Sequence, residues 1–529
     1  MRKWCPAVLG LMVLASASLL QGESSPPIAA APKAGPPPAA AGPAPAARAA
    51  TPAETLRTEL DRLFADPQIA KMAVGVRIVT LGAPGAPAEV LYSARADQPL
   101  VPASTMKLLT TGACLDRLGP DWRIKTHVGH IPAAGPDAKF DLAVIGGGDP
   151  NFSGRFYKDD TVGAFRQWAV VLKERGVTSV GRVVLDDTLF DDVLQHPNWP
   201  PDQRAEWYEA PVSALNLNDN CVDIHVSPGK AGAPALVVLE PPGGYAAIEG
   251  TILTVADRKD HGFSIERVAS ASAGGAIRLR VAGRYWAQSP ETVENRTVVS
   301  PTMFFGSALA ETLRAEGINV AGPIVRERLA DAAGRARADF VCDVLHQTRL
   351  DATVAVANKR SQGLYAECMM KLLGAFGPTP KIDTVLPPRQ GSWQNGADEV
   401  RRWMVERGIP AEGCVIDDGS GLSKTNRLTA LAVTELLRVM YERHGDLFVQ
   451  TLAEPGEGSL IKRLRNTPAD GRVFGKTGYV LGASALSGYV RAKSGRILIY
   501  SIIMNDVPWG GLWKARDAQD KVCLRLVEM

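Results

Sequence analysis

The tetrad Ser104-Thr105-Met106-Lys107 constrains this chain more than any other feature, because its chemistry depends on a fixed local geometry. Residues three apart lie on one face of a helical turn, so the lysine amine is placed beside the serine hydroxyl. A serine hydroxyl is a weak nucleophile at neutral pH and needs such a base. A short extended run with a proline precedes the tetrad, and an apolar helical stretch follows it. The sequence therefore predicts a nucleophilic serine at the start of a helix.

The spacing alone is weak evidence, because the chain contains two more Ser-x-x-Lys tetrads, Ser227-Pro-Gly-Lys230 and Ser459-Leu-Ile-Lys462. The distant Lys476-Thr477-Gly478 separates Ser104 from them. A Ser-x-x-Lys tetrad with a downstream Lys-Thr-Gly is typical of serine acyl-transferases that react with penicillin. The two motifs have to meet in space, so the two ends of the chain are predicted to share one core.

The length of 529 residues is too great for one ordinary core and predicts two or three domains. About 250 residues separate Lys107 from the next candidate motif at Ser361, far more than a crossover connection needs. Short β-like runs punctuated by Gly, Pro and Asp fill this stretch. We therefore predict an α/β (α+β) fold, an antiparallel sheet flanked by helices, formed by residues 53–122 and 340–529. Residues 123–339 are predicted to be a large β-rich insertion of one or two lobes.

Residues 1–22 have the pattern of a secretory signal peptide, with a basic start at Arg2 and Lys3 and an apolar run from Ala7 to Leu20. An uncleaved membrane anchor is the alternative, but the apolar run is short for a span. Residues 23–52 are Pro/Ala-rich, as in an extended linker. The sequence predicts an exported protein of the periplasm or cell wall, with no stable membrane span in the mature chain.

Apolar periodicity predicts regular elements throughout the rest of the chain. The predicted helices are Ala53 to Phe64, Ser361 to Phe376, Thr429 to Arg443 and Leu512 to Val527. The predicted strands of the sheet are Met72 to Leu81, Glu89 to Ser93, a strand around Lys476, Ala485 to Arg491 and Arg496 to Met504. In the insertion they are Phe140 to Ile145, Ser179 to Leu185, Cys221 to Val226, Ile252 to Val255 and Ala276 to Val281.

Composition argues against several function classes. Loss of Arg2 and Lys3 with the signal brings the formal net charge of +3 close to neutrality, which argues against nucleic acid as a partner. Six of the seven cysteines lie beyond the signal, and Cys114 and Cys368 fall on apolar helical faces typical of buried thiols. The seven histidines are scattered, with no Cys-x-x-Cys or His-Glu-x-x-His. No metal site and no cofactor is predicted.

Several segments resemble the S13 peptidase family, the class C low-molecular-mass penicillin-binding proteins, which act as D-alanyl-D-alanine carboxypeptidases and endopeptidases. They are Pro102-Ala-Ser-Thr-Met-Lys107, Gly146-Gly-Gly-Asp-Pro150, Ser213-Ala-Leu-Asn-Leu-Asn218, Leu364-Tyr-Ala-Glu367, Asp417-Asp-Gly-Ser-Gly-Leu-Ser423 and Lys476-Thr-Gly478 with Leu486-Ser-Gly-Tyr-Val490. The resemblance covers residues 52 to 529. It implies a penicillin-binding transpeptidase/β-lactamase-like fold, peptidoglycan stem peptides as substrates and β-lactam antibiotics as inhibitors.

The resemblance also implies a role for each matching residue. Ser104 would attack the carbonyl between the two terminal D-alanines, and Lys107 would take its proton as a neutral amine. A second cation at Lys476 and partial burial would lower the pKa of Lys107. Ser361 would relay a proton to the leaving amine.

The substrate-binding roles fall on the last motif. Lys476 and the Thr477 hydroxyl would bind the terminal carboxylate of the substrate, on the strand that carries Gly478. Backbone N–H groups of Ser104 and Tyr479 would form an oxyanion hole.

Two positions depart from the family pattern. The family's Ser-x-Asn motif is replaced by Ser361-Gln362-Gly363, so the asparagine side chain is missing. Asn358 or a water is left to make its hydrogen bonds. After Lys-Thr-Gly the family usually has Thr or Ser, and Tyr479 stands there instead. The oxyanion N–H remains, but a carboxylate donor is lost, at a cost on the order of 2 kcal/mol.

Other segments have two readings each. Asp149 either reaches the cleft and pairs with an amine of the peptide stem or bonds its own backbone in a glycine turn. Asp418 to Ser423 is predicted to be a turn that lines the cleft, with Leu422 facing the substrate, rather than a nucleophile elbow at Ser420. Three clustered aromatic residues either stack on glycan or pack under a loop: Trp199, Trp207 and Tyr208.

Three functions remain open at this point. The first is a serine peptidase that trims or un-crosslinks peptidoglycan stems. The second is a β-lactamase, which is disfavoured because such an enzyme needs no inserted domain and no deacylating glutamate is recognisable. The third is a catalytically degenerate wall-binding or scaffold protein. Gly363 and Tyr479 support it, and it is opposed by the intact Ser104, Lys107, Ser361 and Lys476.

Overall fold

The computed structural model describes residues 51–82, 88–135, 138–268 and 275–529. The predicted signal peptide and nearly all of the predicted linker lie outside these residues. The last two linker positions, Thr51 and Pro52, are the N-cap and first residue of the first helix. Within the described ranges, no helix combines the length and the apolar character needed to cross a membrane.

Ten α-helices occur in the described residues, numbered in chain order. They are α1 (Pro52–Phe64), α2 (Met106–Leu118), α3 (Gly163–Glu174), α4 (Pro301–Ala315), α5 (Leu350–Lys359), α6 (Gly363–Phe376), α7 (Trp393–Glu406), α8 (Ala430–His444), α9 (Asp446–Val449) and α10 (Leu512–Val527).

The strands of the described residues are numbered in the same way. They are β1 (Ala73–Thr80), β2 (Val90–Ala94), β3 (Arg123–Pro132), β4 (Phe140–Ile145), β5 (Ser179–Val180), β6 (Val183–Asp186), β7 (Cys221–Ser227), β8 (Leu236–Glu240), β9 (Ala246–Val255), β10 (Gly262–Val268), β11 (Ile277–Trp286), β12 (Thr292–Thr297), β13 (Asn319–Val320), β14 (Ile324–Arg326), β15 (Val341–Arg349), β16 (Val473–Val480), β17 (Ala483–Arg491) and β18 (Ile497–Asn505).

A five-stranded antiparallel sheet joins the two ends of the chain, in the order β16-β17-β18-β1-β2. The central strand β18 is buried along nearly its whole length. Successive side chains of a strand point to opposite faces, so Ile499 and Ile503 pack towards α2 and α8, while Tyr500 and Ile502 pack towards α1 and α10. The predicted fold, a sheet between helical layers built from both ends, is confirmed.

Helix α6 forms the centre of one helical layer, because all of its residues are buried. A helix that is buried on every side belongs in the interior of a large core. Helix α2, which begins at Met106, packs against α6 and is buried along most of its length. The residues that begin α2 are therefore held by the core of the protein rather than by a surface loop.

The insertion contains a second five-stranded sheet, β14-β6-β4-β3-β15, with α3 and α4 in its hydrophobic core. Two smaller sheets, β10-β11-β9 and β12-β7-β8, and the pair β13-β5 complete it. The predicted strands at Phe140 and Cys221 are confirmed, but helices α3 and α4 were not predicted. The signal for α3 was present, because Phe165, Trp168 and Leu172 recur at helical spacing and are buried.

Strand β15 lies beyond residue 340, in the range assigned to the sheet-and-helix domain. It pairs with β3, so that Leu345 lies opposite His127 and β15 closes one edge of the second sheet. By strand pairing, the insertion's sheet therefore extends past residue 340. The domain boundaries themselves stay a prediction.

Candidate active site

A cleft of about 490 Å³ opens where the start of α2, the edge strand β16 and a loop of the insertion meet. Six of the predicted site residues line it: Ser104, Lys107, Ser361, Leu422, Thr477 and Tyr479. A second cavity of about 600 Å³ lies between Trp122 and Leu386 and contains none of the predicted site residues. We place the candidate active site in the first cleft because the predicted nucleophile Ser104 and the predicted base Lys107 line it.

Ser104 lies in a single 3-10 turn, Ala103–Thr105, directly before α2. Ala103 adopts a left-handed backbone with φ of 47°, a conformation that costs energy and that residues other than glycine rarely adopt. The Thr105 hydroxyl donates to the Pro102 carbonyl at 2.6 Å and fixes the turn. This strained turn presents the Ser104 hydroxyl to the cleft.

Gly478 allows strand β16 to approach the Ser104 turn closely. A Cβ atom placed on Gly478 would lie 2.6 Å from the Pro102 carbonyl oxygen and 3.2 Å from the Ser104 nitrogen. Contacts this short with backbone atoms are not tolerated, so glycine is required here. The predicted site residue Gly478 thus has a steric role, with its two chain neighbours Thr477 and Tyr479 in the cleft wall.

Lys107 lies one helical turn after Ser104 and is only 2% exposed. Its Nζ is 3.1 Å from the Ser104 Oγ and donates to the Ser420 carbonyl at 2.8 Å. Burial lowers the pKa of Lys107 to about 8, against the opposing effect of two carboxylates, Glu367 and Asp418. An amine with this pKa is available as a base near neutral pH.

Lys476 is completely buried, and its Nζ donates to the Ser361 Oγ and the Thr477 carbonyl, each at 2.8 Å. Burial, and then the charge of Lys107, lower the pKa of Lys476 well below its usual value. The sequence predicted that a second cation at Lys476 and partial burial would together lower the pKa of Lys107. Burial is the main cause at Lys107, and repulsion between the two lysines adds to burial in lowering the pKa of Lys476.

Ser361 is held in the left-handed region, with φ of 59°, between α5 and α6. A non-glycine residue in this region is strained and persists only where the surrounding structure holds it in place. Such residues are found mostly at functional sites. Here the Lys476 amine fixes the Ser361 hydroxyl from the buried side. The cleft therefore contains two hydroxyl groups, Ser104 and Ser361, each in hydrogen-bonding distance of a buried lysine.

Gly363 is the first residue of α6 and lines the cleft without offering a side chain. The suggestion that Asn358 replaces the missing amide is wrong. Asn358 is fully buried and bonds Thr111 and Thr451, away from the cleft. Among the described lining residues, a side-chain amide is offered by Gln203 of the insertion.

Asp149 does not line the cleft, so its placement among the substrate-binding residues needs correction. It is buried and accepts hydrogen bonds from the backbone N–H and side-chain amide of Asn151, at 2.9 and 2.6 Å. The Thr348 hydroxyl donates to its other oxygen at 2.5 Å. The alternative of a turn in which Asp149 bonds its local backbone matches this geometry, because its oxygens are already occupied by these donors.

The three clustered aromatic residues behave differently from one another. Trp199 is buried under the loop and its Nε1 donates to Asp418 at 2.9 Å, which confirms the packing alternative for this residue. Trp207 is 41% exposed and lines the cleft together with Tyr208, whose hydroxyl donates to Gln203 at 3.0 Å. The insertion therefore contributes one wall of the cleft.

Tyr479 is 49% exposed at the rim of the cleft, where β16 is an edge strand. The Arg516 guanidinium of α10 lies 5.6 Å from the centre of its ring. Leu422, on the opposite loop, is half-buried and lines the same cleft, as predicted. The side chains of Tyr479 and Leu422 make the mouth of the cleft apolar.

Sequence reasoning missed two buried carboxylates beside Lys107. Glu367 accepts hydrogen bonds from the backbone N–H groups of Gly419 and Ser420, at 2.9 and 2.7 Å. Asp418 accepts from the backbone N–H groups of Gly421 and Ser423, each at 2.7 Å. For Glu367 the available signal was an acidic residue inside a largely apolar helix, because buried glutamates are rare unless they are paired.

The five-stranded antiparallel sheet between helical layers, interrupted by a large insertion, defines the class of this protein. It is an α/β protein with the fold of a penicillin-binding protein. The crystal structure of penicillin binding protein 4 from Haemophilus influenzae has the same fold, with a TM-score of 0.69 and 18% sequence identity. The match covers 88% of this chain and 99% of that chain.

The sequence model of the D-Ala-D-Ala carboxypeptidase 3 (S13) family matches residues 56–526, and the chain belongs to this family. By family it is a serine-type D-alanyl-D-alanine carboxypeptidase, so the predicted resemblance is confirmed. It is 30% identical to the D-alanyl-D-alanine carboxypeptidase of an Actinomadura species over 493 residues, 89% of this chain and 84% of that protein. It is 26% identical to carboxypeptidase DacB of Mycolicibacterium smegmatis over 519 residues, 94% of this chain and 92% of that protein.

Proposed function

We propose that this enzyme acts on peptidoglycan stem peptides as a carboxypeptidase and endopeptidase, through an acyl-enzyme on Ser104. β-Lactams are its inhibitors because they acylate the same hydroxyl. The observation that carries the proposal is the 3.1 Å separation of the Lys107 Nζ and the Ser104 Oγ, with burial lowering the pKa of that amine to about 8. Nucleophile and base within hydrogen-bond reach are the geometric requirement for this chemistry.

Acylation begins with the neutral amine of Lys107. One of its N–H groups is donated to the Ser420 carbonyl, which leaves the lone pair free to accept the Ser104 proton. As that proton moves, the Ser104 Oγ bonds to the carbonyl carbon of the penultimate D-alanine, and the carbonyl oxygen becomes an oxyanion. The backbone N–H groups of Ser104 and Tyr479 are its donors, an arrangement that contributes a few kcal/mol of barrier reduction, about 3.

Collapse of the oxyanion breaks the C–N bond to the terminal D-alanine. The leaving nitrogen takes a proton from the Ser361 hydroxyl, which receives a hydrogen bond from Lys476 on its other side. Ser361 is reprotonated by the proton that Lys107 took from Ser104, so that Lys107 is neutral again. Water then attacks the Ser104 ester while Lys107 takes a proton from it, and Lys107 returns this proton to the Ser104 Oγ as the shortened stem is released. Lys107, which is paired with Ser104, is thus the base, and Ser361, which is paired with Lys476, is the acid.

The terminal carboxylate of the substrate is bound by Lys476 and the Thr477 hydroxyl. Thr477 lines the cleft, and Lys476 lies directly behind it on β16. Leu422 and Tyr479 contribute apolar contacts at the mouth. A complex of penicillin binding protein 4 from Haemophilus influenzae with a β-lactam supports β-lactams as ligands of this fold.

The predicted signal peptide and the nature of the substrate support an exported protein of the periplasm or cell wall, because stem peptides lie outside the cytoplasm. The second candidate is a protein that retains the fold and binds the wall with little or no catalysis. Gly363 and Tyr479 favour it, since both remove a polar group from the cleft. The buried Lys107 beside Ser104 favours the enzyme.

The test is release of D-alanine from a soluble peptide that ends in D-Ala-D-Ala. Wild type is expected to release it, and Ser104→Ala to release none. Ser459→Ala is the matched control, because it removes the serine of another Ser-x-x-Lys tetrad and is expected to keep full activity. Folded wild type that releases no D-alanine at high enzyme concentration would leave the wall-binding candidate.

A further inference from the structure

We propose that Glu367 is a positioning residue for the base of this reaction. Its carboxylate clamps the Gly419–Ser420 backbone so that the Ser420 carbonyl is presented to the Lys107 amine. The inference rests on the proposed function, because it concerns how Lys107 serves as base.

The Gly419–Ser420 segment is bonded on two sides, to α6 by its N–H groups and to α2 by its carbonyls. The N–H groups of Ser420 and Gly419 donate to the two oxygens of Glu367, at 2.7 and 2.9 Å. The Gly419 carbonyl accepts from the Thr110 hydroxyl and the Ser420 carbonyl from Lys107, each at 2.8 Å. Glu367 therefore determines where the acceptor of Lys107 lies.

The Gly419–Ser420 backbone packs directly against α6, with no room for a side chain at 419. A Cβ atom on Gly419 would lie 2.7 Å from the Ala366 carbonyl oxygen and 2.9 Å from the Met370 Cβ. Glycine at 419 is therefore needed for the N–H groups to reach the Glu367 carboxylate. The steric fit and the hydrogen bonds require the same backbone placement.

The hydrogen-bond donors around Glu367 favour the ionised form of its carboxylate. The third donor is the Trp393 Nε1 at 2.7 Å, so all three partners are N–H groups. An ionised carboxylate only accepts hydrogen bonds, whereas a protonated one also needs an acceptor. A fully buried carboxylate is costly unless it is bonded in this way.

The orientation of the Lys107 amine follows from its acceptor. A neutral amine has two N–H groups and one lone pair in a tetrahedral arrangement. When one N–H is directed at the Ser420 carbonyl, the lone pair can be directed at the Ser104 hydroxyl, 3.1 Å away. Without the clamp, the Ser420 carbonyl moves and the lone pair loses its alignment, which slows the proton transfer.

The charges that face this site come from four elements. Lys107 lies on α2, Asp418 on the cleft loop, Lys371 on α6 and Lys476 on β16. Burial and then the Asp418 charge raise the pKa of Glu367 to about 7, so it is mostly ionised at mildly alkaline pH. The carboxylate in turn raises the pKa of Lys107 against the effect of burial.

The decisive experiment measures the rate of covalent labelling of wild type and Glu367→Gln by a penicillin, as a function of pH. Glutamine has one accepting oxygen and no charge, so it holds one peptide N–H where glutamate holds two. We expect the plateau rate to fall about tenfold or more. The pH midpoint is expected to move to lower pH, because a charge that raises the pKa of Lys107 is gone.

Glu399→Gln is the matched control. Glu399 is also a buried glutamate of the same helical layer, but it pairs with Arg117 and Arg402. Its substitution is expected to lower the melting temperature without moving the pH midpoint of labelling. Glu367→Asp keeps the charge with a shorter reach, and is expected to keep the midpoint while lowering the plateau.

The outcomes separate this inference from the proposed function. Wild type that is never labelled contradicts the proposed function. Wild type that is labelled, together with a Glu367→Gln protein of unchanged plateau and midpoint, contradicts the positioning role. If Glu367→Gln does not fold, Glu367→Asp decides, and an unchanged plateau rate in that variant overturns the proposal.

Discussion

Position 363 carries no side chain at the point where α6 begins and the family pattern places an asparagine. A Cβ atom there would be 3.4 Å from the Tyr208 carbonyl oxygen, an ordinary contact, so the backbone at 363 has room for a side chain to begin. We expect this variant to be acylated by penicillin about tenfold faster, because it regains one hydrogen bond to the substrate amide. Gly363→Ala fills the same space without an amide and is the control. Equal rates for the two variants would contradict the prediction.

Tyr479 removes a hydroxyl donor from the proposed carboxylate site. We expect Tyr479→Thr to lower the KM for a peptide ending in D-Ala-D-Ala by about tenfold, since a hydrogen bond to a charged group contributes roughly 1.5–3 kcal/mol. Tyr479→Val has nearly the same shape without the hydroxyl and should show no such gain. If both variants lower the KM equally, the gain comes from loss of the tyrosine ring and not from the hydroxyl that threonine adds.

The lowered pKa of Lys107 predicts how activity depends on pH. Burial places this pKa at about 8, so the amine is mostly protonated below it and accepts the Ser104 proton above it. The labelling rate with penicillin is therefore expected to rise with pH through about 8 and then level off. A stopped-flow or gel-based pH profile checks this. A labelling rate that falls as pH rises over that range would contradict Lys107 as the base.

At the scale of elements, Asp116 connects α2 to α7 and α8. Its buried carboxylate accepts from the Trp403 Nε1 and the Arg407 Nε, each at 2.7 Å, and from Arg443 and His444. Burial alone would raise its pKa, but the hydrogen bonds from these four residues outweigh burial and hold the pKa well below its usual value. The helix that carries Lys107 is thus anchored at its far end.

Asp116→Asn is expected to lower the free energy of unfolding by about 3 kcal/mol at neutral pH, because it leaves buried donors without a charged partner. The lowered pKa makes this contribution fully present above the ordinary aspartate pKa and lost as pH falls through the folded-state value. Urea denaturation at several pH values measures it. Asp446→Asn, at an exposed pair with Arg491, is the control and should cost less than about 1 kcal/mol.

The elements that sequence predicted best were those with strong periodicity. The final helix was predicted at Leu512 to Val527, where α10 lies, and the strand at Phe140 to Ile145 is β4. Helix α7 was missed although the signal was present, because its buried Trp393, Val400 and Trp403 recur at helical spacing. A sequence pattern describes one segment at a time, whereas the burial of a segment depends on the other elements that pack against it.

In the candidate site, sequence predicted the residues that reach the cleft through a motif, such as Ser104 and Thr477. It could not predict that Gln203 and Trp207 line the same cleft, because their approach depends on how the insertion folds back. For Asp149 the sequence left a local turn open beside the substrate-binding role, and the bond from the Asn151 N–H is of that local kind. The donor Thr348 is distant in sequence, so no local pattern could indicate it.

At the scale of the whole molecule, the six cysteines of the described residues are all unpaired, and Cys342 is the exposed one among them. Within the described ranges the fold is therefore held by its cores without disulfides. We expect the melting temperature to be unchanged by a reducing agent. In the native protein Cys342 is expected to react fastest with a thiol reagent, and Cys342→Ser to remove that fast phase. A melting temperature that falls in reductant would contradict this account.

The central claim is that Ser104 is the acylated nucleophile with Lys107 as its base, and intact-mass measurement after incubation with benzylpenicillin tests it most directly. The account predicts a single adduct with the mass of the whole antibiotic, located at Ser104 after digestion and absent in Ser104→Ala. It also predicts that Lys107→Ala forms the adduct far more slowly. An adduct on another residue, or no adduct on folded wild type at high concentration and long times, would contradict it.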